Sequence, residues 1–382
     1  MHVAEEDVAE AVGPHYSVEK LIARGAFGEV WLARDTRIGI RVAVKRLYHR
    51  QPSRDIIQPD PDREIATMRA ARHRSVVNII GERPGRYARH IVMEFCPASL
   101  AYILARCRGA PAARSGALHP GSPRQQSGDR ALSLPALKHV AWGVLRAVAA
   151  CHAAGVLHRD VKPANLLVSA RGEIKLGDFG LARMAAGTPP AGAARPAYTA
   201  GMASRWYRAP ELLYGAHQYG PAVDVWAAGC VIGELFRNAP LFPGGGDIEQ
   251  LCIVLSKMGS VDLAEWPEAA DLPDFGRVVV PDTNADTDSP PGEGPAGDGG
   301  QRATVGRLRR LIPRAPEGLV ELLAALLRVT PSKRVSAEQA MLDGFFFSWP
   351  PPCTGDEFVA ELEAAGIIER GAWGQEHHAL PD

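Results

Sequence analysis

"HRDVKPANLL", residues 158–167, crowds an imidazole, a guanidinium, a carboxylate, an ammonium and a carboxamide between His158 and Asn165. A buried strand would not tolerate that set, because each charge would lose its hydration without a guaranteed partner. A solvated loop would not need the apolar Leu166, Leu167 and Val168 that follow. A loop that faces phosphates and metal ions satisfies both halves of the pattern. The rest of the chain decides whether such a site exists.

Composition narrows the field. With 382 residues the chain exceeds one typical domain, so two lobes or a domain with inserts are expected. Lys plus Arg (43) equals Asp plus Glu (43), which leaves no overall field to draw nucleic acid or an anionic membrane. Neither is expected as a partner. Cysteines 96, 107, 151, 230, 252 and 353 form no CxxC pair, against a zinc ribbon or disulfide scaffold and for a reducing compartment. The adjacent His377 and His378 have no metal-ligand companions and read as a solvated tail. The acidic opening "MHVAEEDVAEAV" is unlike a signal peptide, and no uncharged apolar run approaches the roughly 20 residues of a membrane span. "GLVELLAALLRV" carries Glu321 and Arg328 at helical spacing and reads as a core-facing amphipathic helix. A soluble intracellular protein is expected.

Hydrophobic periodicity changes along the chain. From Tyr16 to about residue 95, "VAVKRL" and "HIVMEFC" read as strands, with a helix over Arg63–Arg72 between them. From Leu134 onward, Leu137, Val140, Ala141, Val144, Leu145 and Val148 recur at helical intervals, which predicts a buried helix. Residues 1–15 and 348–382 read as tails. Residues 106–131 and 281–302 are rich in Gly, Pro, Ser and charge, and read as disordered inserts unable to offset the entropy of ordering.

"RGAFGEVWLAR", the lysine of "VAVK" (Lys45), the helical Glu64, "HRDVKPAN", "GDFG" (177–180) and "APE" (209–211) follow one another in that order. Each has an ordinary reading: a hairpin glycine pair, a solvated strand lysine, a solvent-facing helical glutamate. Together and in that order they resemble the protein-kinase signature set, over residues 16–347. The resemblance implies an α+β bilobal fold, with a small β-rich N-lobe (16–95) and a larger, mostly helical C-lobe (96–347). It implies phosphoryl transfer from ATP with Mg²⁺ to a protein hydroxyl, a reaction served mainly by positioning and electrostatic stabilisation.

Roles follow from that resemblance, residue by residue. Lys45 would contact the α- and β-phosphates, held by an ion pair with Glu64. Asp178 and Asn165 would hold Mg²⁺, Asp160 would orient the hydroxyl and accept its proton, and Lys162 would neutralise charge on the γ-phosphate. Ile22, Ala23, Gly25, Gly28, Val30, Ala43, Met93, Glu94, Cys96 and Leu167 would line the nucleotide site with Lys45. His158 and Phe179 would stack between the lobes with Met68. The first glycine of the usual loop is Ala23 here, while Gly25 and Gly28 are kept. A silent scaffold would require loss of Lys45, Asp160, Asn165 or Asp178, and none is lost.

Lys162 in "HRDVKPAN" resembles the Ser/Thr type, and "ASRWYRAPELLYG" the group of cyclin-dependent and MAP kinases. There Arg208 would help shape a pocket for proline just after the phosphorylated residue, so that substrates carry Ser-Pro or Thr-Pro. The Thr-x-Tyr positions of a MAP kinase are Thr199, Ala200 and Gly201, which leaves the single phosphosite of cyclin-dependent kinases. Arg63, Arg159 and Arg183 stand where that family gathers a phosphothreonine made by an upstream kinase. "ELLYGAHQYGPAVDVWAAGCVIGELFRNAPLFPGGGDIEQLCIVL" is most similar to the cell-cycle-related branch, which is linked to cilium assembly and length. Ala26 and Phe27 replace the inhibitory Thr-Tyr pair of cell-cycle kinases, and "PDPDREIATM" replaces the PSTAIRE cyclin-binding string. A cyclin or cyclin-like activator stays open on these residues, as does a cyclin-activated kinase of cell division or transcription. A cytoplasmic or nuclear location, or the cilium or flagellum, is expected.

Overall fold

The structure is a computed structural model that describes residues 2–25, 28–48, 60–85, 88–109, 132–185, 205–277 and 299–369. Thr199, Ala26, Phe27, His377 and His378 lie outside these residues, as do most of the two expected inserts.

Five antiparallel strands build the N-terminal sheet: β1 (Tyr16–Gly25), β2 (Gly28–Asp35), β3 (Arg41–Tyr48), β4 (Ile79–Pro84) and β5 (Ala88–Glu94), in the order β1-β2-β3-β5-β4. The period of two along β3 sends Ala43, Lys45 and Leu47 to one face and Val42, Val44 and Arg46 to the other. Ala43 and Leu47 join the main core, which continues into the C-lobe, whereas Val42 and Val44 join a separate outer core with Trp31, Ala33 and Val92. Lys45 thus lies on the inner face, with its sequence neighbours Val44 and Arg46 on the opposite side of the sheet.

Helix α1 (His2–Val12) covers that outer face, with Val8 and Val12 fully buried. Residues 1–15 are therefore not a simple tail. Two valines one helical turn apart fit a sheet face whose Trp31, Val44 and Val92 would otherwise meet water.

Helix α2 runs over Pro61–Ala70, two residues ahead of the expected Arg63–Arg72 span. Its start is set by Asp60, whose carboxylate accepts from the Asp62 and Arg63 amides, and by Pro61 in the first turn. Ile65 and Met68 face the core.

In the C-lobe, α3 (Leu100–Gly109) leads to α4 (Leu134–Ala153). All six apolar positions singled out in α4 are buried, and Ser133 caps it by accepting from the Ala136 amide. Short strands β6 (Ala98–Ser99), β8 (Leu166–Val168) and β9 (Ile174–Leu176) form one small sheet, and β7 (Val156–Leu157) pairs with β10 (Arg183–Met184). The apolar Leu166–Val168 run is thus a strand that fixes the C-terminal end of the charged loop. Helix Ala222–Arg237 is buried almost throughout and lies against α4. "GLVELLAALLRV" forms the helix Leu319–Leu326, with Leu319, Leu322, Leu323 and Leu326 inside.

Three further boundaries differ from expectation. Arg106–Gly109 extend α3, since Cys107 is buried and Arg108 binds the Glu234 carboxylate and the Asn238 carbonyl. Residues 299–302 open the helix Gly299–Leu311. The helix Gly355–Ala364 docks on α4 with Phe358 and Leu362 buried, and Ile367 and Ile368 behind it join the main core, so residues 348–369 are not a tail. In the first and third cases the deciding partner is distant in sequence. No helix among the described residues is long and apolar enough to cross a membrane. All six cysteines are free.

Candidate active site

The β2–β3 register puts Val30 opposite Lys45, and the β3–β5 register puts Ala43 opposite Met93. Ala23 pairs with Val30 across β1–β2, and Gly25 with Gly28. Gly28 has φ 149°, and a Cβ there would stand 2.0 Å from the Arg46 carbonyl oxygen, so no side chain fits. Ile22 is half-exposed at the rim, and Leu167 lies half-buried on β8. Ala23, Val30, Ala43 and Met93 thus form one apolar surface beside Lys45.

Lys45 Nζ lies 2.6 Å from Glu64 Oε1 and 2.6 Å from Asp178 Oδ1. Burial alone would depress the ammonium, but the two carboxylates outweigh it and raise its pKa. Asp178 is pushed up by burial and pulled down further by Lys45, and settles at about 2. Glu64 goes the other way, since its burial is deeper than its single bond to Lys45 offsets. Asp178 has φ 59°, a left-handed conformation rare outside glycine, which turns its carboxylate into the cleft.

The charged loop of 158–165 is held from three sides. His158 Nδ1 accepts from the Asp160 amide at 3.3 Å, which assigns the proton to Nε2 for donation to the Gly177 carbonyl at 3.0 Å. Its ring meets Phe179 edge-on at 4.8 Å, and Phe179 and Met68 are both buried in the main core. Lys162 Nζ donates to Asp160 Oδ2 at 2.7 Å. Asn165 Nδ2 donates to the same oxygen at 2.9 Å and to the Asp160 carbonyl at 2.8 Å. Two acceptors fix the Asn165 amide orientation, and its Oδ1 is left to ligate a cation. Among the described residues no donor engages Asp160 Oδ1, which leaves that oxygen for an incoming hydroxyl.

Asp224, which sequence reading missed, holds the loop from below. Its carboxylate accepts from the amides of His158 (2.8 Å) and Arg159 (2.7 Å) and from His152 Nε2 (3.0 Å). It is 1% exposed, and although burial opposes ionisation, these bonds keep its pKa below the usual carboxylate range. The signal was a lone acid in the apolar run "AVDVWAAG", since a buried charge needs partners. The two amide bonds also hold Arg159 at φ 67°.

Arg159 Nε donates to the Leu181 carbonyl at 2.6 Å and its Nη1 to the Tyr219 hydroxyl at 2.7 Å. Arg63 reaches the Gly180 carbonyl at 3.4 Å. Burial, then the neighbouring charge of Arg159 and that of Arg183, depresses the Arg63 guanidinium. The three arginines therefore share one electrostatic neighbourhood. Beside Asp160, Arg159, Tyr207, Arg208 and Leu212 line a small cleft. Arg208 and Arg205 both reach Asp247 Oδ1, at 3.1 and 2.5 Å. Glu211 is bound by both Arg334 terminal nitrogens, at 2.6 and 2.8 Å, an anchor that ties the "APE" stretch to the lower lobe.

Glu94 ends β5 beside Met93 with its side chain turned to Lys175. Its carboxylate accepts from Lys175 Nζ and the Asn78 amide, and its own amide donates to the Asn78 carbonyl. Cys96 is half-buried beyond β5, and burial raises its thiol pKa, so it contributes surface there and no thiolate.

The protein kinase domain model matches residues 16–346. The chain belongs to the protein kinase family. The kinase is 34% identical to Cyclin-dependent kinase 20 of Rattus norvegicus over 363 residues, 95% of this chain and 91% of that protein. It is 31% identical to Cyclin-dependent kinase D-1 of Arabidopsis thaliana over 89% of this chain and 73% of that one. Among solved structures, a chain of the CAK complex from Chaetomium thermophilum bound to ATP-gamma-S matches with a TM-score of 0.67 and 28% identity, over 90% of this chain and 94% of that one. The kinase is thus a serine/threonine protein kinase of the cyclin-dependent-kinase family that uses ATP with Mg²⁺.

The site fits that cofactor pair. Asp178, ionised above about pH 2, and the Asn165 carboxamide oxygen are hard oxygen donors of the kind Mg²⁺ takes. When bound, Mg²⁺ screens the phosphate oxygens during transfer. The other groups of the cleft, Lys45 between Glu64 and Asp178 and Lys162 beside Asp160, are charged side chains of the kind phosphoryl transfer uses.

Proposed function

We propose that this kinase phosphorylates serine or threonine followed by proline, after its own activation on Thr199 by an upstream kinase. The observation that carries the reading is the convergence of Arg63, Arg159 and Arg183. Arg63 is raised in energy by its burial and by two like charges, a state that a phosphate dianion would relieve. Arg208, in the cleft beside Asp160, supports the proline preference. An Ser-Pro substrate offers no amide next to the phosphorylated residue, so a site without an acceptor there leaves no donor unpaired.

The assigned roles of Lys45, Glu64, Asp160, Lys162, Asn165 and Asp178 belong to this reading, as does the nucleotide-lining set. Similarity to Cyclin-dependent kinase 20 supports the cell-cycle-related branch, with a role in cilium or flagellum length or in cell-cycle control. A cyclin or cyclin-like protein would then be its activator, and the cytoplasm, nucleus or cilium its location. A second reading rests on the similarity to Cyclin-dependent kinase D-1 and to the CAK complex chain: a cyclin-activated kinase of cell division or transcription. Peptide arrays with proline or alanine after the phosphoacceptor test the first claim. A preference of at least about tenfold for proline, on the order of 1.4 kcal/mol, is expected. Equal rates on the two arrays would remove it.

A further inference from the structure

Charge joins helix α1 to the glycine-rich hairpin. Asp7 Oδ2 lies 2.7 Å from Arg46 Nη2, and Arg46 Nη1 lies 3.5 Å from Glu29 Oε2. Glu29 Oε1 in turn lies 3.0 Å from Arg24 Nε, directly across the β1–β2 pair. The side chains of Asp7, Arg46 and Glu29 are only 17%, 12% and 9% exposed, so solvent screens these pairs far less than an ordinary surface bridge.

The relay meets the reaction at two points. Arg46 follows Lys45 on β3, on the outer face where Lys45 takes the inner one. Its carbonyl is also the group that excludes any side chain at Gly28. A shift of Arg46 therefore moves both the phosphate-facing lysine and the second strand of the glycine-rich hairpin. Val8 and Val12, sunk among Tyr16, Trp31, Val42, Val44 and Val92, fix the helix that carries Asp7.

We propose that α1 is a brace for the phosphate-binding hairpin, with Asp7, Arg46 and Glu29 as positioning residues for ATP. This inference concerns nucleotide binding and is independent of the Ser/Thr-Pro and cilium readings.

The test is binding of ATP with Mg²⁺, and separately of adenosine, to the full chain and to Asp7→Asn, Glu29→Gln, the double variant and Asp7→Glu. Adenosine lacks the phosphates, so a brace acting through Gly28 and Lys45 affects ATP far more than adenosine. The dissociation constant for ATP should rise about fivefold in each single variant, on the order of 1 kcal/mol, with adenosine changed less than about twofold. The double variant should be no weaker than the poorer single one, because both sit in one relay. Asp7→Glu should recover most of the loss. Unchanged ATP affinity in Asp7→Asn, parallel weakening of ATP and adenosine, or additive losses in the double variant would each overturn the brace.

Discussion

Lys45 stands between two carboxylates and is the group that bonds directly to both. Removing one partner of a buried ion pair typically costs about 3–5 kcal/mol, because the surviving charge stays desolvated. In Lys45→Met, Glu64 and Asp178 would face each other without the ammonium between them, leaving only the more distant charges of Arg63 and Lys162, and both folded-state pKa values would rise above the unfolded ones. The folded variant then holds more protons than its unfolded chain, so its stability falls as pH rises through the carboxylate range. The melting-temperature gap from wild type should be small at pH 4.5 and larger at pH 7.5, and activity should vanish at both. A gap independent of pH would mean that the lysine does not set these carboxylates. Asp224 acts through geometry. Asp224→Asn loses the second charged acceptor for two amides and leaves Arg159 poorly held in its left-handed conformation. We expect kcat to drop by about a hundredfold with the KM for ATP little changed, since the loop and not the nucleotide cleft is disturbed. Steady-state kinetics at varied ATP would expose a wrong assignment as a change in KM.

At the scale of elements, α2 links activation to catalysis, because adjacent residues serve both. Glu64 binds Lys45, and Arg63 belongs to the arginine group around Arg159. A phosphate on Thr199 would add about −1.5 to −2 charges and three acceptors. Charge-assisted bonds of that kind can bias an element by a few kcal/mol. Thr199→Ala should keep ATP binding and lose most peptide phosphorylation, and Thr199→Glu should recover only part, having one charge and a planar carboxylate. Full activity of the alanine variant, relative to phosphorylated wild type, would exclude this switch. Loss of the helix cap tests the same link from the other end. Asp60→Ala removes acceptors for the first-turn amides at about 1 kcal/mol, so it should lower peptide turnover more than nucleotide affinity.

At the scale of the whole molecule, the segment after residue 348 fastens the lower lobe. Phe358 is fully buried against the His139 ring at 5.3 Å, and His139 bonds the carbonyls of Cys353 and Gly172. Gly172 and Gly355 meet backbone to backbone, where a Cβ on Gly172 would come within 2.2 Å of the Gly355 oxygen. Phe358→Ala should cost about 3–5 kcal/mol and lower the melting temperature by roughly 4–6 °C, with ATP affinity unchanged. A melting point within about 1 °C of wild type would mean that this docking contributes little, since roughly 1.2 °C per kcal/mol follows from the unfolding entropy of a chain this size.

The kinase signature was readable because its chemistry demands particular side chains in order, and local spacing carries them. "HRDVKPAN" and "GDFG" name their own donors and ligands, and the apolar positions of α4 name its buried face by periodicity. The period of two in "VAVK" likewise announced a strand with the lysine on one side. What spacing could not convey was which distant group each side chain meets. Asp224 looked like an acid in an apolar helix until the fold put two loop amides on it, 65 and 66 residues back along the chain. The Glu94 side chain, in a strand whose spacing said nothing of its partner, is turned to Lys175 by a contact 81 residues away. Residues 2–12 and 355–364 carry no catalytic pattern, and their helices gain their standing from surfaces supplied elsewhere, the outer sheet face and α4. Local chemistry is written in order along the chain, whereas burial and charge pairing depend on whatever the fold brings alongside.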